Sequence, residues 1–301
     1  MEKFDAQDML AFIERYRITH VQCVPTMFVR LLKLPKAVRA QYDLSSLKRV
    51  IHAAAPCPID VKERMIEWLG PIVEEYYAGT ESNGLCVITA DEWLKRKGSV
   101  GRSVRGPIHV MDDSGEHERP IGEVGVIYFE GGTPFVYHKD TDKTAKTRNG
   151  KGWTAIGDIG FVDSEGYLYL TDRKDNMIIS GGVNIYPQES ENLLISHPKV
   201  FDVAVIGVPN VEFGEEVKAI VQPMPGVVGS PELADELRSY LSDRLANIKQ
   251  PRSYDFVDTL PRLPTGKLLK RLLRDRYWKD ANRGATIAER ITSTSATGET
   301  R

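Results

Sequence analysis

Apolar positions change their spacing twice along this chain, and each change marks a different kind of structure. In the first stretch Ala6, Met9, Leu10, Ile13 and Tyr16 recur at helical intervals, which predicts a helix over residues 5–17 with Asp5 as its N-cap. The run His20 to Val24 predicts a strand, and Pro25 starts a helix that continues from Thr26 to Leu34. A second strand is predicted at Val50 to Ala54. A helix follows from Ile59 to Leu69, opened by Pro58 and closed by Gly70, and then a third strand from Pro71 to Tyr77. Strands alternating with helices argue for parallel α/β packing.

After about Gly98 the runs shorten and glycines multiply. Val124 to Glu130, Phe161 to Asp163 and Tyr167 to Thr171 read as strands, separated by turns such as Asp112-Asp113-Ser114-Gly115 and Asp163-Ser164-Glu165-Gly166. This texture predicts a small antiparallel β region. Past Asp175 it changes again. Ile185 to Ser196 reads as helix, and Val203 to Val208 and Val217 to Gln222 as strands. Ser230 caps a helix with Pro231 at its first position and Leu233, Leu237, Leu241 and Leu245 on one stripe. The expected fold class is therefore α/β. It comprises a partial parallel-sheet subdomain over residues 1–97, a small β subdomain over 98–175 and a C-terminal α+β domain over 176–280. Residues 281–301 are polar, rich in Ser, Thr and Gly, and are expected to be a disordered tail.

Composition narrows the function. The chain has 301 residues, 41% of them hydrophobic and 27% charged, with a formal net charge of -2. No basic field exists for nucleic acid or anionic lipid, so a bound nucleotide needs a local site. Cys23, Cys57 and Cys86 show no metal-ligand spacing and are expected to be free thiols in a reducing compartment. No apolar run has the length of a membrane span, and the first residues lack a signal-peptide pattern, so a cytoplasmic location is expected.

Five segments carry candidate chemistry. Tyr77-Ala78-Gly79-Thr80-Glu81 ends a predicted strand, where α/β sheets bind ligands; it offers a ring to stack on a base, a hydroxyl for phosphate and a carboxylate for Mg²⁺. Ala53-Ala54-Ala55-Pro56, also at a strand end, permits close approach of a ligand to backbone. Gly152 to Gly160 holds one carboxylate, Asp158, able to accept from a pair of ribose hydroxyls. Thr171-Asp172-Arg173-Lys174-Asp175-Asn176, followed by Ser180-Gly181-Gly182 and Asn184-Ile185-Tyr186-Pro187, lies where two textures meet. Arg173 suits ribose or phosphate oxygens, and Asp175 suits a hinge. Pro261-Arg262-Leu263-Pro264-Thr265-Gly266-Lys267 is a stiff loop presenting one ammonium. Taken singly, each has an ordinary explanation: a turn with a solvated Glu, tight packing, an Asp bonding its own backbone, a charged interdomain loop and a surface Lys.

In this order and at these separations, the five segments resemble the adenylate-forming superfamily of acyl-CoA synthetases, peptide-synthetase adenylation domains and luciferases. The resemblance covers Met1 to about Tyr277. The stretch from Asp172 through Ser180-Gly181-Gly182 to Pro187 is most similar to the fatty-acyl or medium-chain acyl-CoA ligase branch. Carried over position by position, it implies that Tyr77 stacks on adenine, Thr80 touches the α-phosphate and Glu81 binds Mg²⁺. Ala55 and Pro56 would lie along the adenine and the acyl tunnel. Asp158 would hold the ribose with help from Arg173, and Asp175 would be the hinge of a mobile C-terminal domain. Lys267 would reach the carboxylate and α-phosphate oxygens, and Ser180, Gly181 and Gly182 would line the coenzyme A passage. Residues 1–97 would be part of a larger AMP-binding domain. The implied cofactors are ATP/AMP, Mg²⁺ and coenzyme A, and the implied substrate is a carboxylic acid, a fatty acid first, activated as acyl-AMP and released as acyl-CoA. His20, Val24, Pro25, Thr26 and Met27 line the acyl tunnel or simply pack the core; the sequence leaves both open, and oligomeric state is equally open.

The chain departs from the family pattern in three places. Ala78 stands where Gly is usual after the tyrosine, and Ile156 stands where Thr is usual before Gly157. Residues 1–76 hold no Ser/Thr/Gly-rich loop for the ATP phosphates, so the chain is expected to begin in mid-domain. A sheet cut there is expected to present an open edge, leaving the chain inactive alone, poorly soluble or dependent on a partner chain. The alternative reading is a non-catalytic remnant that binds AMP or an interaction partner. An amino-acid adenylation domain is the rival by chemistry; it is expected to be followed by a carrier domain with a phosphopantetheine serine, and the featureless stretch at 281–301 argues against it.

Overall fold

The computed structural model describes residues 4–263 and 266–279. The expected tail at 281–301 lies outside them, as do Pro264 and Thr265 of the lysine loop. The chain forms two compact units, with the boundary between Asp175 and Asn176.

In the first unit the chain opens with α1 (Ala6–Tyr16), β1 (His20–Cys23), α2 (Pro25–Lys33), α3 (Lys36–Arg39), β2 (Arg49–His52), α4 (Ile59–Leu69) and β3 (Val73–Ala78). Asp5 caps α1 by accepting the amides of Gln7 and Asp8, as its position before an amphipathic run requires. β1, β2 and β3 are parallel neighbours, with Val21 opposite Val50 and Val50 opposite Val73. Their carboxyl ends therefore emerge on one edge, and the segments after Cys23, His52 and Ala78 leave the sheet side by side.

The chain continues through β4 (Leu85–Ile88), α5 (Ala90–Lys95), β5 (Ser99–Ser103), β6 (Ile108–Met111), β7 (Gly125–Phe129), α6 (Thr141–Ala145), β8 (Asp158–Val162) and β9 (Leu168–Arg173). All nine strands lie on one hydrogen-bonded path in the order β1-β2-β3-β4-β5-β9-β8-β7-β6. The parallel and antiparallel regions are thus continuous, joined by β4 and β5, neither of which is evident from apolar spacing. Leu85–Ile88 is too short to show periodicity, and Ser99–Ser103 carries a glycine and an arginine. The core beneath the antiparallel part gathers Cys86, Val100, Val110, Ile127, Phe129 and Leu168. Among the described residues β1 is paired only with β2, so its far side is an open edge.

The second unit holds β10 (Ile178–Ser180), β11 (Val183–Ile185), α7 (Gln188–Ser196), β12 (Val200–Asn210), β13 (Gly214–Pro223), α8 (Pro231–Ser242) and β14 (Ser253–Phe256), and ends in α9 over residues 270–279. Its sheet runs β11-β10-β13-β12, with β14 parallel to β13. Two sequence expectations need correction here. The helix expected from Ile185 starts only at Gln188, because Gly181 and Gly182 both take positive φ (58° and 81°) and turn the chain back as a hairpin, pairing Ser180 with Val183. Leu245 lies beyond α8, which ends at Ser242, so only Leu233, Leu237 and Leu241 form its buried stripe. A third correction concerns the first unit: the strand expected at Phe161 begins at Asp158, with a register irregularity between Ile159 and Gly160. No helix among the described residues is long and apolar enough to cross a membrane.

A polar cluster sits under the parallel strands. Lys62 on α4 is fully buried, its Nζ 2.5 Å from Glu75 Oε2 on β3 and 4.9 Å from the centre of the Trp93 ring. His52 Nε2 lies 3.5 Å from the same carboxylate oxygen. Burial pushes the Glu75 carboxyl up and pulls the Lys62 ammonium down, and the mutual attraction of the pair opposes both. Lys62→Met should therefore cost about 3–5 kcal/mol by stranding a buried carboxylate, and Lys62→Met with Glu75→Leu much less. In the single variant Glu75 has a raised folded pKa. The native state then binds more protons than the unfolded state above the unfolded value of about 4.3, so urea unfolding should show stability falling as pH rises through that range.

Candidate functional site

Three of the residues singled out in the sequence meet in the first unit. Asp158, the first residue of β8, faces Arg173, the last residue of β9, as a register pair. Arg173 Nε lies 3.8 Å from Asp158 Oδ1, and its Nη2 donates to the Ile156 carbonyl at 2.6 Å. Tyr77, near the end of β3, donates its hydroxyl to Asp158 Oδ2. Its ring packs against Phe129 with centroids 6.2 Å apart. Burial, and then the neighbouring Asp158 carboxylate, hold the Tyr77 phenol well above its ordinary range. The Asp158 side chain is 12% exposed, so its acceptors meet few competitors from water.

Glu81 and Ile156 both approach Gly79. Gly79 supplies the space: a Cβ there would sit 2.5 Å from Ile156 Cδ1 and 2.9 Å from Glu81 Oε2. This ties the departure at Ile156 to the glycine that follows Ala78. Glu81 Oε1 accepts a 2.7 Å hydrogen bond from the Tyr137 hydroxyl. Burial first, and then the bond to Glu81, push the Tyr137 phenol up to about 12. Tyr137 is a site residue that pattern reading missed, since a lone tyrosine among Thr133–Asp140 carries no periodic signal. Its ring is braced by Phe135 and by Lys143, whose ammonium lies 4.1 Å from the ring centre.

Thr80 is exposed beyond β3, and Ala55 and Pro56 are exposed beyond β2. They share the carboxyl edge of two adjacent parallel strands with Tyr77. Ala54 holds φ at 74°, left-handed backbone that a non-glycine residue adopts at a cost, and such strain concentrates at ligand-facing turns. Asp175 closes the first unit inside a short 3₁₀ turn, Lys174–Asn176. Ser180, Gly181 and Gly182 form the β10–β11 hairpin of the second unit, where Ser180 is buried and the Gly181 amide donates to the Phe213 carbonyl at 2.9 Å. Lys267 is exposed and also belongs to the second unit.

The donor set fits a ribonucleotide. A shielded carboxylate beside a guanidinium suits a diol, and an aromatic ring at the strand edge suits a purine face. Glu81 offers a single carboxylate, which matches the habit of Mg²⁺ to take one or two protein carboxylates and complete its shell with phosphate and water.

A twisted sheet with parallel strands at one side, this cluster at its edge, and a separate small α+β unit carrying a lysine loop are the features of adenylate-forming enzymes. The AMP-binding enzyme family model matches residues 1–135, and the AMP-binding enzyme C-terminal domain matches residues 189–267. The chain belongs to that family, whose members include acyl-CoA synthetases. Among its relatives, a feruloyl-CoA synthase from an Amycolatopsis species is 37% identical over 91% of this chain and 55% of that protein. A long-chain-fatty-acid–CoA ligase from Bacillus subtilis is 34% identical over 91% of this chain and 48% of that protein. The solved anthranilate CoA ligase in complex with anthranoyl-AMP superposes with a TM-score of 0.79 at 30% identity, covering 92% of this chain and 53% of that one. The chain spans about half the length of the curated relatives it matches.

Tyr77→Phe should leave the shielded Asp158 carboxylate one donor short and cost about 1–3 kcal/mol in urea unfolding. Tyr137→Phe, at a partly exposed position, should cost about 0.5–1.5 kcal/mol in the same measurement.

Proposed function

We propose that this chain supplies the adenine-, ribose- and lysine-bearing parts of an ATP-dependent acyl-CoA ligase. A carboxylate attacks the α-phosphorus of ATP, forming acyl-AMP and releasing pyrophosphate. The coenzyme A thiol then attacks the acyl carbonyl, and AMP leaves as the thioester forms. The observation that carries this reading is the convergence of Tyr77, Asp158 and Arg173 beside the carboxyl ends of parallel strands.

In this reading Tyr77 covers the adenine, Asp158 and Arg173 grip the ribose, and Thr80 bonds the α-phosphate. Glu81, steadied by Tyr137, contributes one ligand to Mg²⁺. Ala55 and Pro56 border the adenine and the acyl group. Lys267 places positive charge where negative charge gathers on the carboxylate and α-phosphate oxygens, a contribution from positioning and electrostatics, not covalent chemistry. Asp175 is the hinge about which the second unit turns, and Ser180, Gly181 and Gly182 line the path of the pantetheine arm. The substrate class is a carboxylic acid, with fatty acids favoured by the stretch from Asp172 to Pro187. The names of the relatives, which span ferulate, anthranilate and long-chain fatty acids, are compatible with the broader class.

A second reading is AMP binding without catalysis, for which Tyr77, Asp158 and Arg173 supply the contacts. Two measurements separate the two, the first on this chain and the second on an intact ligase that contains it. Calorimetry with AMP should show binding that Asp158→Ala weakens about tenfold or more, the loss of roughly 1.4 kcal/mol; binding unaffected by Asp158→Ala would remove the site. Pyrophosphate exchange with a panel of carboxylic acids should then report acyl-AMP formation. Lys267→Ala should lower that formation by about 100- to 1,000-fold and retain more of the thioester step from preformed acyl-AMP. AMP binding with no exchange on any acid would favour the second reading, and equal loss in both steps would remove the role given to Lys267.

A further inference from the structure

The lysine loop is tied down from both sides by ions that the function described above does not use. Arg262 spends all three of its side-chain nitrogens. Nε donates to Asp202 Oδ2 at 2.6 Å, Nη2 to Asp202 Oδ1 at 2.7 Å, and Nη1 to the carbonyl of Gly266 at 2.6 Å. The first two bonds form a fork-to-fork pair, and the third reaches the residue directly before Lys267. Asp202 is 4% exposed and sits at the register irregularity in β12, which turns its carboxylate out of the regular ladder. The backbone closes around the same point: Arg262 bridges Leu268, the Leu263 amide donates to the Lys267 carbonyl at 2.9 Å, and the Leu269 amide donates to the Pro261 carbonyl at 2.9 Å.

On the exit side, Lys270 at the start of α9 lies 2.8 Å from Glu191 of α7, with both side chains largely buried. Glu191 Oε1 in turn accepts the Val205 amide of β12 at 2.6 Å. The loop therefore hangs between two anchor points on one strand, and Lys267 stands exposed between them. The bond to Gly266 fixes loop backbone in addition to the Arg262–Asp202 ion pair.

We propose that Arg262 is the positioning residue for Lys267. Its guanidinium fastens the Gly266 carbonyl to the buried Asp202 carboxylate, so the ammonium is presented from a fixed base. The functional value of this device rests on the role given to Lys267 above. Lysine at 262 keeps the charge but cannot span Asp202 and Gly266 together, because one ammonium lacks the planar fork.

Site-resolved hydrogen exchange on the full chain tests this, comparing the unaltered protein with Arg262→Lys, Arg262→Gln, Asp202→Asn and Lys267→Ala. In the three clasp variants the Leu263, Gly266 and Leu269 amides should exchange about tenfold faster or more, as expected for losing hydrogen bonds to charged groups. The β12–β13 ladder amides of Ile206 and Ile220 should hold their rates, and Lys267→Ala should leave all five amides unchanged. Unaltered loop exchange in Arg262→Lys overturns the proposal. So does acceleration of ladder and loop amides to the same extent in Arg262→Lys, which would make the pair a general stabiliser. If Arg262→Gln loosens the whole unit, Arg262→Lys decides the matter. Failure of the underlying reading leaves a different trace: Lys267→Ala would be without effect on acyl-AMP formation while the clasp variants still loosen the loop.

Discussion

One hydrogen bond, from the Tyr77 hydroxyl to the Asp158 carboxylate, joins the two halves of the first unit's sheet at the place where the candidate site forms. Tyr77 belongs to the parallel strands and Asp158 to the antiparallel ones, 81 positions later in the chain. The strands between them, β4, β5 and β9, carry no site residue except Arg173, and their pairing sets where the two partners meet. Shift β8 by one residue against β9 and Asp158 would turn to the other face, losing both Tyr77 and Arg173. The site thus depends on register across a continuous sheet more than on any single loop.

The two units divide the chemistry in a physically sensible way. The first holds its candidate residues on strand ends, where side chains are fixed by neighbours on either side. The second carries its candidate residues on a glycine hairpin and on a loop between two ion pairs. Both are backbone features that present a group without surrounding it. Under the function proposed, the Arg262 clasp would lower the entropic cost of fixing a long lysine before it is used.

Burial explains which polar groups tolerate the interior. Lys62 and Glu75 satisfy each other beneath the parallel strands, with the Trp93 ring over the ammonium. Cys23 and Cys86, also interior, have thiols that burial pushes up to about 12, which makes them inert packing groups near neutral pH. Asp158 is different: it accepts from Tyr77 but keeps a face toward the partly exposed Arg173, so it is shielded without being sealed.

Local sequence determined the helices whose apolar faces and caps agree, such as Ala6–Tyr16 behind Asp5 and Ile59–Leu69 between Pro58 and Gly70, because 3.6-residue periodicity and terminal chemistry act within a few residues. It also determined the family, through five short segments whose residue types and order are hard to reach by chance. Tertiary structure decided the rest. That Gly181 and Gly182 make a hairpin instead of leading into a helix, that β4 and β5 weld two sheets into one, that Tyr137 reaches Glu81 and that Arg262 holds Gly266 to Asp202 all rest on partners distant in sequence. Periodicity cannot report such contacts, since a hydrogen bond across 56 or 60 positions leaves no mark on the spacing of either partner's neighbours.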